Sequence, residues 1–209
     1  MVLGISGSPR LNSVTAAAVQ KILDSTGLES NYISLSGKKI NGCISCLGCT
    51  KENICSVNDG FTHISKAMLE ADAIVFGAPN YYGTLNGLSH AFWERCFSFR
   101  HRGAFKLQNK PIIFVSTGYS EVVEDNPVFN LMDNFARHNK MDVLTKVTVG
   151  AFSQCYTCNY SKDCVDGNVV KNHGVVDVVT PEMLPDTFEK QSRSVDKCIA
   201  ASKLIKNLF

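Results

Sequence analysis

The sequence has almost no net charge and no long apolar run. Its 21 basic and 19 acidic side chains leave a formal net charge of +2, which gives no electrostatic reason to expect nucleic acid or a membrane surface as a partner. No segment is as long as a transmembrane helix, and the first residues lack the basic stretch and apolar run of a signal peptide. We therefore expect a cytoplasmic protein with a single domain over residues 1–209.

Common nucleotide-binding motifs are missing too. Residues 6–15 lie between a short apolar run and a helical pattern, but they contain neither G-x-G-x-x-G nor a loop ending in G-K-[ST]. The loop instead has hydroxyl groups, small residues, an early proline and no acidic side chain. Such a loop at a helix N-terminus can bind a phosphate through backbone N–H groups and hydroxyls. The alternative is an ordinary capped helix with Asn12 or Ser13 as the N-cap.

Cysteine, by contrast, is plentiful, and four of the nine cysteines lie close together. Cys43, Cys46, Cys49 and Cys55 form a C-x2-C-x2-C-x5-C run, in which short gaps let a tight turn direct the sulfurs at one point. Iron–sulfur clusters require such a set of thiolates, and zinc is also compatible with it. In a cytoplasmic protein these cysteines indicate metal or redox chemistry rather than a disulfide framework. The alternatives are small buried apolar residues or a disulfide pair.

Apolar runs and helical periodicity alternate along the chain. Strands are predicted near residues 2–5, 31–35, 71–77, 111–116 and 143–149, and helices near residues 14–23, 61–69, 85–96, 128–138 and 194–208. This alternation predicts an α/β protein with three layers around a five-stranded parallel sheet. The four clustered cysteines then lie in an insertion of about residues 36–58, and a connection of that length is uncommon unless it is functional.

Three strands of this sheet run into polar or aromatic loops. Ligands of open parallel sheets bind beyond the carboxyl ends of the strands. Residues 6–15 suit a phosphate, residues 79–84 offer backbone groups and two tyrosines, and residues 117–120 let the backbone approach the edge of a ring. FMN, a flat heteroaromatic ring with a phosphate, fits the three loops together. No His, Asp or Glu pair at a strand end indicates a general acid, so we expect no catalytic side chain and assign the chemistry to the flavin.

In these features the chain resembles the flavodoxin-like NAD(P)H-dependent FMN reductases and, within them, the iron–sulfur flavoproteins. The similarity covers residues 1 to about 120. It rests on the cysteine run and on four further segments: Gly7-Ser8-Pro9-Arg10 with Asn12, Ser13 and Thr15; residues 71–79; Tyr81-Tyr82-Gly83; and Ser116-Thr117-Gly118. The resemblance implies a flavodoxin-like sheet of order 2-1-3-4-5, FMN held by those loops, and a homodimer or homotetramer.

The resemblance also implies which residues bind the cofactors. The compact cysteine run would ligate a [4Fe–4S] cluster close to the flavin through Cys43, Cys46, Cys49 and Cys55. FMN would be held by residues of all three loops, namely Ser8, Arg10, Asn12, Ser13, Val14, Thr15, Pro79, Asn80, Tyr81, Tyr82, Gly83, Thr117 and Gly118. NAD(P)H or ferredoxin is the expected electron donor.

A second group of cysteines follows the fifth strand. Cys155, Cys158 and Cys164 form C-x2-C-x5-C in a loop of about residues 152–175, with His173 downstream. Three thiols and a histidine suit a zinc site or a second cluster, whereas the C-x2-C pair suits a redox disulfide. Structural cysteines in a compact loop are the remaining interpretation. Cys96 and Cys198 lie in helical patterns, and we expect them to be buried like apolar side chains.

The leading hypothesis is an FMN-dependent oxidoreductase that passes electrons between a reduced donor, FMN and a [4Fe–4S] cluster. The runner-up is a cluster-free NAD(P)H-dependent FMN, quinone or nitro-compound reductase on the same fold. A third hypothesis, from a different class, is a non-catalytic electron carrier or sensor that binds flavin or zinc. In the first two cases the protein positions the flavin and the flavin supplies the chemistry.

Overall fold

The computed structural model describes residues 1–119 and 126–209, and strands and helices alternate along them. The strands are β1 (Val2–Ser6), β2 (Ser30–Ser34), β3 (Ala73–Tyr81), β4 (Thr84–Leu85), β5 (Pro111–Gly118) and β6 (Asp142–Gly150). The α-helices are α1 (Val14–Thr26), α2 (Gly60–Glu70), α3 (Gly87–Arg95), α4 (Pro127–Asn139), α5 (Asn168–His173) and α6 (Ser192–Lys206). The predicted strands and helices are all present, with bounds that differ by a few residues.

The five long strands are parallel and lie in the order β2-β1-β3-β5-β6. This is the predicted 2-1-3-4-5 order of a flavodoxin-like sheet, because β4 is a short extra strand. β3 is central and pairs with β1 through Val2↔Ala73 and with β5 through Ile74↔Ile112. The carboxyl ends of β1, β3 and β5 therefore lie side by side at one edge of the sheet.

Besides a 3₁₀ segment over Cys96–Gly103 directly after α3, two elements among the described residues differ from the prediction. The sheet has six strands rather than five, since β4 pairs antiparallel with the end of β3. A strand of only Thr84–Leu85 is too short to leave an alternating pattern in the sequence. The second is α5, a single short helix among 3₁₀ turns in the region expected to be an irregular loop.

Helices cover both faces of the sheet, which confirms the three layers. On one face α2, α3 and α4 enclose an aromatic core in which Phe76 stacks on Phe92 with ring centroids 5.5 Å apart, and Trp93 meets Phe76 edge-on. On the other face α1 packs on β3 and β5, where Val75 and Val115 are buried, and α6 packs on α1 and β6. Burying each such side chain stabilises the fold by about 1.5–3 kcal/mol. The two cysteines expected in the core are fully buried, as predicted: Cys96 and Cys198.

The chain after β6 is less regular than the rest. Residues 151–191 contain four short 3₁₀ turns and α5 before α6 returns to the sheet. In the part of the chain that the structure describes, no helix is both long and apolar enough to cross a membrane.

Candidate functional site

The loop after β1 is anchored at both of its ends. Ser13 is the N-cap of α1, and its hydroxyl accepts a hydrogen bond from the Ala16 N–H at 3.1 Å. Ser8 is buried, and its hydroxyl accepts from the Arg10 N–H at 3.2 Å. Arg10 and Asn12 are exposed at the tip of the loop. The capped-helix interpretation is confirmed for Ser13, and it is compatible with a phosphate at the same loop.

Gly7 allows the close packing that holds this loop against the start of α3. Its N–H donates to the Gly77 carbonyl at 2.7 Å, and its carbonyl accepts from Asn86 Nδ2 at 2.9 Å and Ser89 Oγ at 3.1 Å. A Cβ at Gly7 would lie 2.0 Å from Ser89 Oγ, so any other residue would force Ser89 or the loop to move and would disturb this contact. Asn86 and Ser89 were missed by the sequence analysis, and the Asn-Gly pair before a helical pattern was the signal that could have revealed Asn86.

One buried polar atom beside this loop has no partner among the described residues. Asn86 is 3 % exposed, and its Oδ1 accepts no hydrogen bond although its Nδ2 holds the Gly7 carbonyl. An unpaired buried acceptor costs about 1–3 kcal/mol, and a bound ligand with an N–H or O–H group can relieve that cost. The edge of the sheet near Gly7 therefore has the chemistry expected of a cofactor site.

A buried hydroxyl pair connects the first loop to the third. Thr15 Oγ1 and Thr117 Oγ1 are 2.6 Å apart, and both side chains are buried. Thr15 is in the first turn of α1, and Thr117 is near the end of β5, two strands away from β1. Gly77 on the intervening β3 makes this possible, because a Cβ there would lie 3.0 Å from Thr15 Cγ2.

The second predicted loop is largely strand. Pro79, Asn80 and Tyr81 continue β3, and Tyr82-Gly83 form a tight turn to β4 with φ values of 56° and 78°. Asn80 Oδ1 accepts from the Gly83 N–H at 2.8 Å and fixes that turn. The expectation that the strand ends before Pro79 is therefore wrong. Tyr82 is fully exposed, and Tyr81 is partly exposed.

The third strand exit adjoins the second. Thr117 pairs with Pro79 in the β5–β3 register, and a Cβ on Gly118 would lie 3.6 Å from Asn80 Cβ. Tyr119 is exposed, and Ser120, the last residue predicted for this loop, lies outside the described residues. The three predicted loops thus meet along one sheet edge.

The four clustered cysteines lie on the connection from β2 to α2. All four line the same small cavity, and each has a free thiol. None of these four cysteines is in a disulfide, so the disulfide interpretation of the run is wrong. Within residues 1–119 and 126–209, no three His, Cys, Asp or Glu side chains converge closely enough to hold a single metal ion. A [4Fe–4S] cluster takes one thiolate on each of four irons, so its ligands stand further apart than those of one ion.

Two side chains from the α3 region contact the thiols. Arg95 Nε donates to Cys55 Sγ at 3.2 Å, and His101 Nε2 lies 3.0 Å from Cys49 Sγ. Partial burial raises the pKa of the Cys49 thiol, and charge on the neighbouring thiolates raises it further. Hydrogen bonds from the Gly48 backbone and the Ser56 hydroxyl lower the pKa of the exposed Cys46 thiol. The thiols are therefore in a polar setting, unlike Cys96.

Arg95 also fixes the cysteine connection to the helical layer. Its guanidinium is buried and donates to both carboxylate oxygens of Asp59 and to the carbonyls of Asn41 and Val57. Asp59 is at the same time the N-cap of α2, where it forms a capping box with Thr62. The sequence analysis missed Arg95, because an arginine late in a helical pattern is more often exposed than buried.

The second group of cysteines is only partly assembled. Cys164 Sγ accepts from the Gly167 N–H at 3.1 Å, and Cys155 Sγ lies 3.5 Å from the position of a Cβ on Gly167. A hydrogen bond with the Ser153 hydroxyl lowers the pKa of the Cys155 thiol most, and hydrogen bonds with the backbone of residues 168–169 lower it further. Cys158 is exposed, and its thiol donates a hydrogen bond to the Cys155 carbonyl. His173, the proposed fourth ligand, contacts Tyr156 instead, with its Nε2 atom 3.3 Å from the Tyr156 hydroxyl oxygen.

Comparison with known proteins agrees with this geometry. Residues 1–154 match the family described as NADPH-dependent FMN reductase. An iron–sulfur flavoprotein of Methanocaldococcus jannaschii is 34% identical over 146 residues, which are 68% of this chain and 75% of the relative. An iron–sulfur flavoprotein of Archaeoglobus fulgidus is 32% identical over 98 residues, 46% of this chain and 50% of that protein, so the chain spans only half of this second relative.

Solved structures agree at the level of the fold. An NADH:FMN oxidoreductase in its apo form superposes with a TM-score of 0.57 at 16% identity, covering 98% of this chain and 88% of the other. At that identity the match supports the sheet order and the layers. The family match over residues 1–154 goes further. The chain belongs to the NADPH-dependent FMN reductase family, in its iron–sulfur flavoprotein branch, and is a flavin-dependent oxidoreductase.

Proposed function

We propose that the protein passes electrons between a reduced donor, FMN and a [4Fe–4S] cluster held by Cys43, Cys46, Cys49 and Cys55. The observation that carries the proposal is that these four thiols line a single cavity on the connection that leaves the carboxyl end of β2, the edge at which the three flavin loops meet. NAD(P)H or ferredoxin is the proposed donor.

The FMN phosphate belongs at the loop after β1. Ser8, Arg10, Asn12, Ser13, Val14 and Thr15 would surround it, and the exposed Arg10 would supply a positive charge. The ring belongs beside the residues of the second and third loops, which are Pro79, Asn80, Tyr81, Tyr82, Gly83, Thr117 and Gly118. When bound, FMN accepts a hydride and can release electrons singly. The chain's part would be to orient the ring, and the hydrogen bond from the Gly83 N–H to Asn80 Oδ1 fixes the turn at the end of the second loop.

The cluster would give this flavin protein a one-electron outlet. The Arg95 guanidinium beside Cys55 and the imidazole of His101 beside Cys49 offer hydrogen bonds that stabilise thiolates. Hydrogen bonds to the sulfurs are also one of the means by which proteins adjust cluster potentials. These contacts favour a redox role for the cysteines over a purely structural one.

Anaerobic purification followed by iron, sulfide and flavin assays tests this proposal. We expect about four iron atoms and four sulfides per flavin, with flavin absorption bands on a broad iron–sulfur shoulder. Flavin without iron or sulfide would remove the cluster from the proposal and leave the oxidoreductase assignment intact.

A cluster-free NAD(P)H-dependent FMN, quinone or nitro-compound reductase is the second candidate. It is favoured by the similarity of the fold to an NADH:FMN oxidoreductase. Full turnover with NADPH and a quinone in iron-free protein would support it. The third hypothesis, a carrier or sensor without catalysis, is disfavoured by membership in a reductase family.

We also propose that the protein is a cytoplasmic homodimer or homotetramer. Several large apolar side chains near the two cofactor regions are exposed in the single chain, among them Ile44, Leu47 and Tyr82. Contact with a second copy would bury them. Light scattering of the purified protein gives the mass that decides this point.

A further inference from the structure

The loop after β6 holds two thiols that approach each other across Gly167. A Cβ placed on Gly167 would lie 2.8 Å from Cys164 Sγ and 3.5 Å from Cys155 Sγ, so both sulfurs border the space that a side chain there would need. Both cysteines are partly exposed, and both thiols are free. The function proposed above uses the cysteine run of residues 43–55 and leaves this accessible pair without a role.

This pair differs from the one that the sequence suggests. The C-x2-C spacing favours Cys155 with Cys158, but the Cys158 thiol is exposed and donates to the Cys155 carbonyl at 3.3 Å. Between Cys155 and Cys164 the chain forms short 3₁₀ turns rather than a strand or an α-helix, which lets the ends of this segment meet at Gly167. Cys164 is therefore the partner that the geometry favours for Cys155.

Hydrogen bonds to the two sulfurs favour their thiolate forms. The Gly167 N–H donates to Cys164 Sγ at 3.1 Å. A hydrogen bond with the Ser153 hydroxyl lowers the pKa of the Cys155 thiol most, and bonds with the backbone of residues 168–169 add to this effect. The thiolate is the form of cysteine that attacks a disulfide. Cys155 receives more of these bonds than Cys164 and is the better first nucleophile.

Lys171 places a positive charge near both sulfurs. Its ammonium group forms an ion pair with Asp166 at 2.7 Å, which raises the pKa of Lys171 most, and negative charge on Cys155 and Cys164 raises that pKa further. A cation beside a thiol favours the thiolate. The same lysine therefore supports a thiolate at either member of the pair.

The segment on each side of the pair is attached to the third flavin loop. The Ala151 N–H donates to the Gly118 carbonyl at 2.6 Å, where β6 ends beside β5. Asn172 Nδ2 donates to the Tyr119 hydroxyl at 2.8 Å and to the Tyr156 hydroxyl at 3.0 Å. These bonds fix the loop at its start and beyond the pair, so the two thiols are held in place on the folded protein.

We propose that Cys155 and Cys164 are a redox-active dithiol that exchanges with low-molecular-weight disulfides. The Cys155 thiolate attacks one sulfur of the disulfide, which forms a mixed disulfide and releases half of the substrate. The Cys164 thiolate then attacks the Cys155 sulfur, forms the bond between the two cysteines and releases the other half.

The exchange is balanced without a further reactant. Two electrons pass from the cysteine pair to the substrate, and the two thiol protons end on the two small thiols that are released. An excess of small thiol drives the reverse reaction and restores the pair. No step involves FMN or iron, so this site does not rest on the function proposed above.

Incubation of the purified, flavin-loaded protein with glutathione disulfide tests the pairing. Free thiols are blocked with N-ethylmaleimide, and mass spectrometry of the peptides identifies the state of each cysteine. We expect a disulfide between Cys155 and Cys164 that reduced glutathione reverses. Two thiols that stay free, a disulfide of Cys155 with Cys158, or one zinc ion per chain that protects both thiols would each overturn the proposal.

Serine variants test the two steps separately. Cys164→Ser should stop at a mixed disulfide of Cys155 with glutathione, because the second nucleophile is missing. Cys158→Ser is the matched control and should still form the disulfide between Cys155 and Cys164. If Cys158→Ser loses the internal disulfide and Cys164→Ser keeps one, the pairing is wrong. Thermal melting verifies that each variant is folded.

Gly167→Ala tests the approach of the two sulfurs across this residue. The new methyl would lie 2.8 Å from Cys164 Sγ and fill the space that both sulfurs border. We expect the internal disulfide to form about tenfold more slowly, while the mixed disulfide at Cys155 forms at the wild-type rate. Gly87→Ala is the control, because a Cβ there meets nothing within 4 Å. Equal rates of internal disulfide formation in the two variants would overturn the pairing across Gly167, whatever the iron assays show.

Discussion

Arg95 Nε donates a hydrogen bond to Cys55 Sγ at 3.2 Å, from the last residue of α3 to the last cysteine of the run. The same guanidinium holds both carboxylate oxygens of Asp59, which caps α2. One buried cation therefore joins a thiol, a helix start and the cysteine connection. The position of the sulfurs depends on this arginine as well as on the cysteine spacing.

Replacing Arg95 with methionine should destabilise the protein markedly. Methionine fills similar space but leaves the partly buried Asp59 carboxylate without its cation, which should cost about 1–3 kcal/mol. Urea unfolding of wild type and variant measures the difference. Arg193→Met is the control, because Arg193 is exposed on α6, and it should change stability by no more than about 0.5 kcal/mol. Equal losses in the two variants would contradict the structural role of Arg95.

The Arg95–Asp59 pair should also make stability fall in acid. Partial burial would raise the pKa of Asp59, but the hydrogen bonds from Arg95 and the Phe61 N–H outweigh it and lower that pKa. A depressed carboxyl pKa contributes stability above the unfolded value of about 3.9, and that contribution is lost as the pH falls through the folded-state pKa.

We therefore expect the free energy of unfolding of the wild type to decline more steeply below about pH 4 than that of Asp59→Asn. In an Arg95→Met background this excess acid sensitivity should disappear or reverse its sign, since burial then raises the Asp59 pKa without the cation to offset it. Urea titrations across the acid range give the slopes. Identical slopes in the wild type and Asp59→Asn would show that this carboxyl is not the source of the acid sensitivity.

Gly7→Ala should weaken FMN binding by more than tenfold. The new methyl would overlap Ser89 Oγ and approach the Gly77 carbonyl to 3.2 Å, so the hydrogen bond of Ser89 to Gly7 is lost or the loop after β1 shifts. Gly87→Ala is the matched control, because a Cβ there meets nothing within 4 Å. Titration of the apoproteins with FMN, followed by flavin fluorescence, measures both affinities. A normal affinity in Gly7→Ala would mean that this loop does not hold the phosphate.

Serine substitutions should separate the two groups of cysteines. Cys43→Ser should lower the iron content of anaerobically purified protein, whereas Cys158→Ser should not if the first group alone holds the cluster. Cys198→Ala is the control, since Cys198 is buried on the opposite face of the sheet. If Cys43→Ser and Cys158→Ser both keep full iron, the ligand assignment fails. If only Cys158→Ser loses iron, the second group is the site.

The alternation of strands and helices was predictable from the sequence, because the buried runs of β1, β3 and β5 and the helical patterns between them follow from hydrophobic period, whereas the strand order was implied by the family resemblance. It was less reliable at Pro79–Tyr81. Proline and tyrosine there indicated a loop, yet β3 continues because β4 turns back and pairs with it. Local composition carries little information about pairing with a two-residue strand.

Some residues of the candidate site were also predictable from the sequence and others were not. The cysteines and the hydroxyl-rich loop were visible as short spacings, which are local properties. Arg95 and Asn86 were not, because their roles depend on partners from distant segments, as in the contact of Asn86 with Gly7. A buried polar side chain acquires its meaning from tertiary neighbours, so spacing alone does not identify it.

The hydroxyl pair of Thr15 and Thr117 offers a test in which the double variant is informative. Thr117→Val keeps the shape but leaves the Thr15 hydroxyl buried without this partner, which should cost about 1–3 kcal/mol. Thr15→Val should cost a similar amount. The double variant replaces both hydroxyls with methyl groups of the same shape, so its loss should be well below the sum of the two.

If the two losses instead add, the threonines do not depend on each other and the contact between α1 and β5 is not what orders this edge. The FMN affinity of the double variant then shows whether the hydroxyl pair supports the fold or contacts the cofactor. An affinity equal to that of the wild type means that the pair supports the fold only. An affinity loss in a stably folded double variant means that at least one of these hydroxyls contacts the cofactor directly.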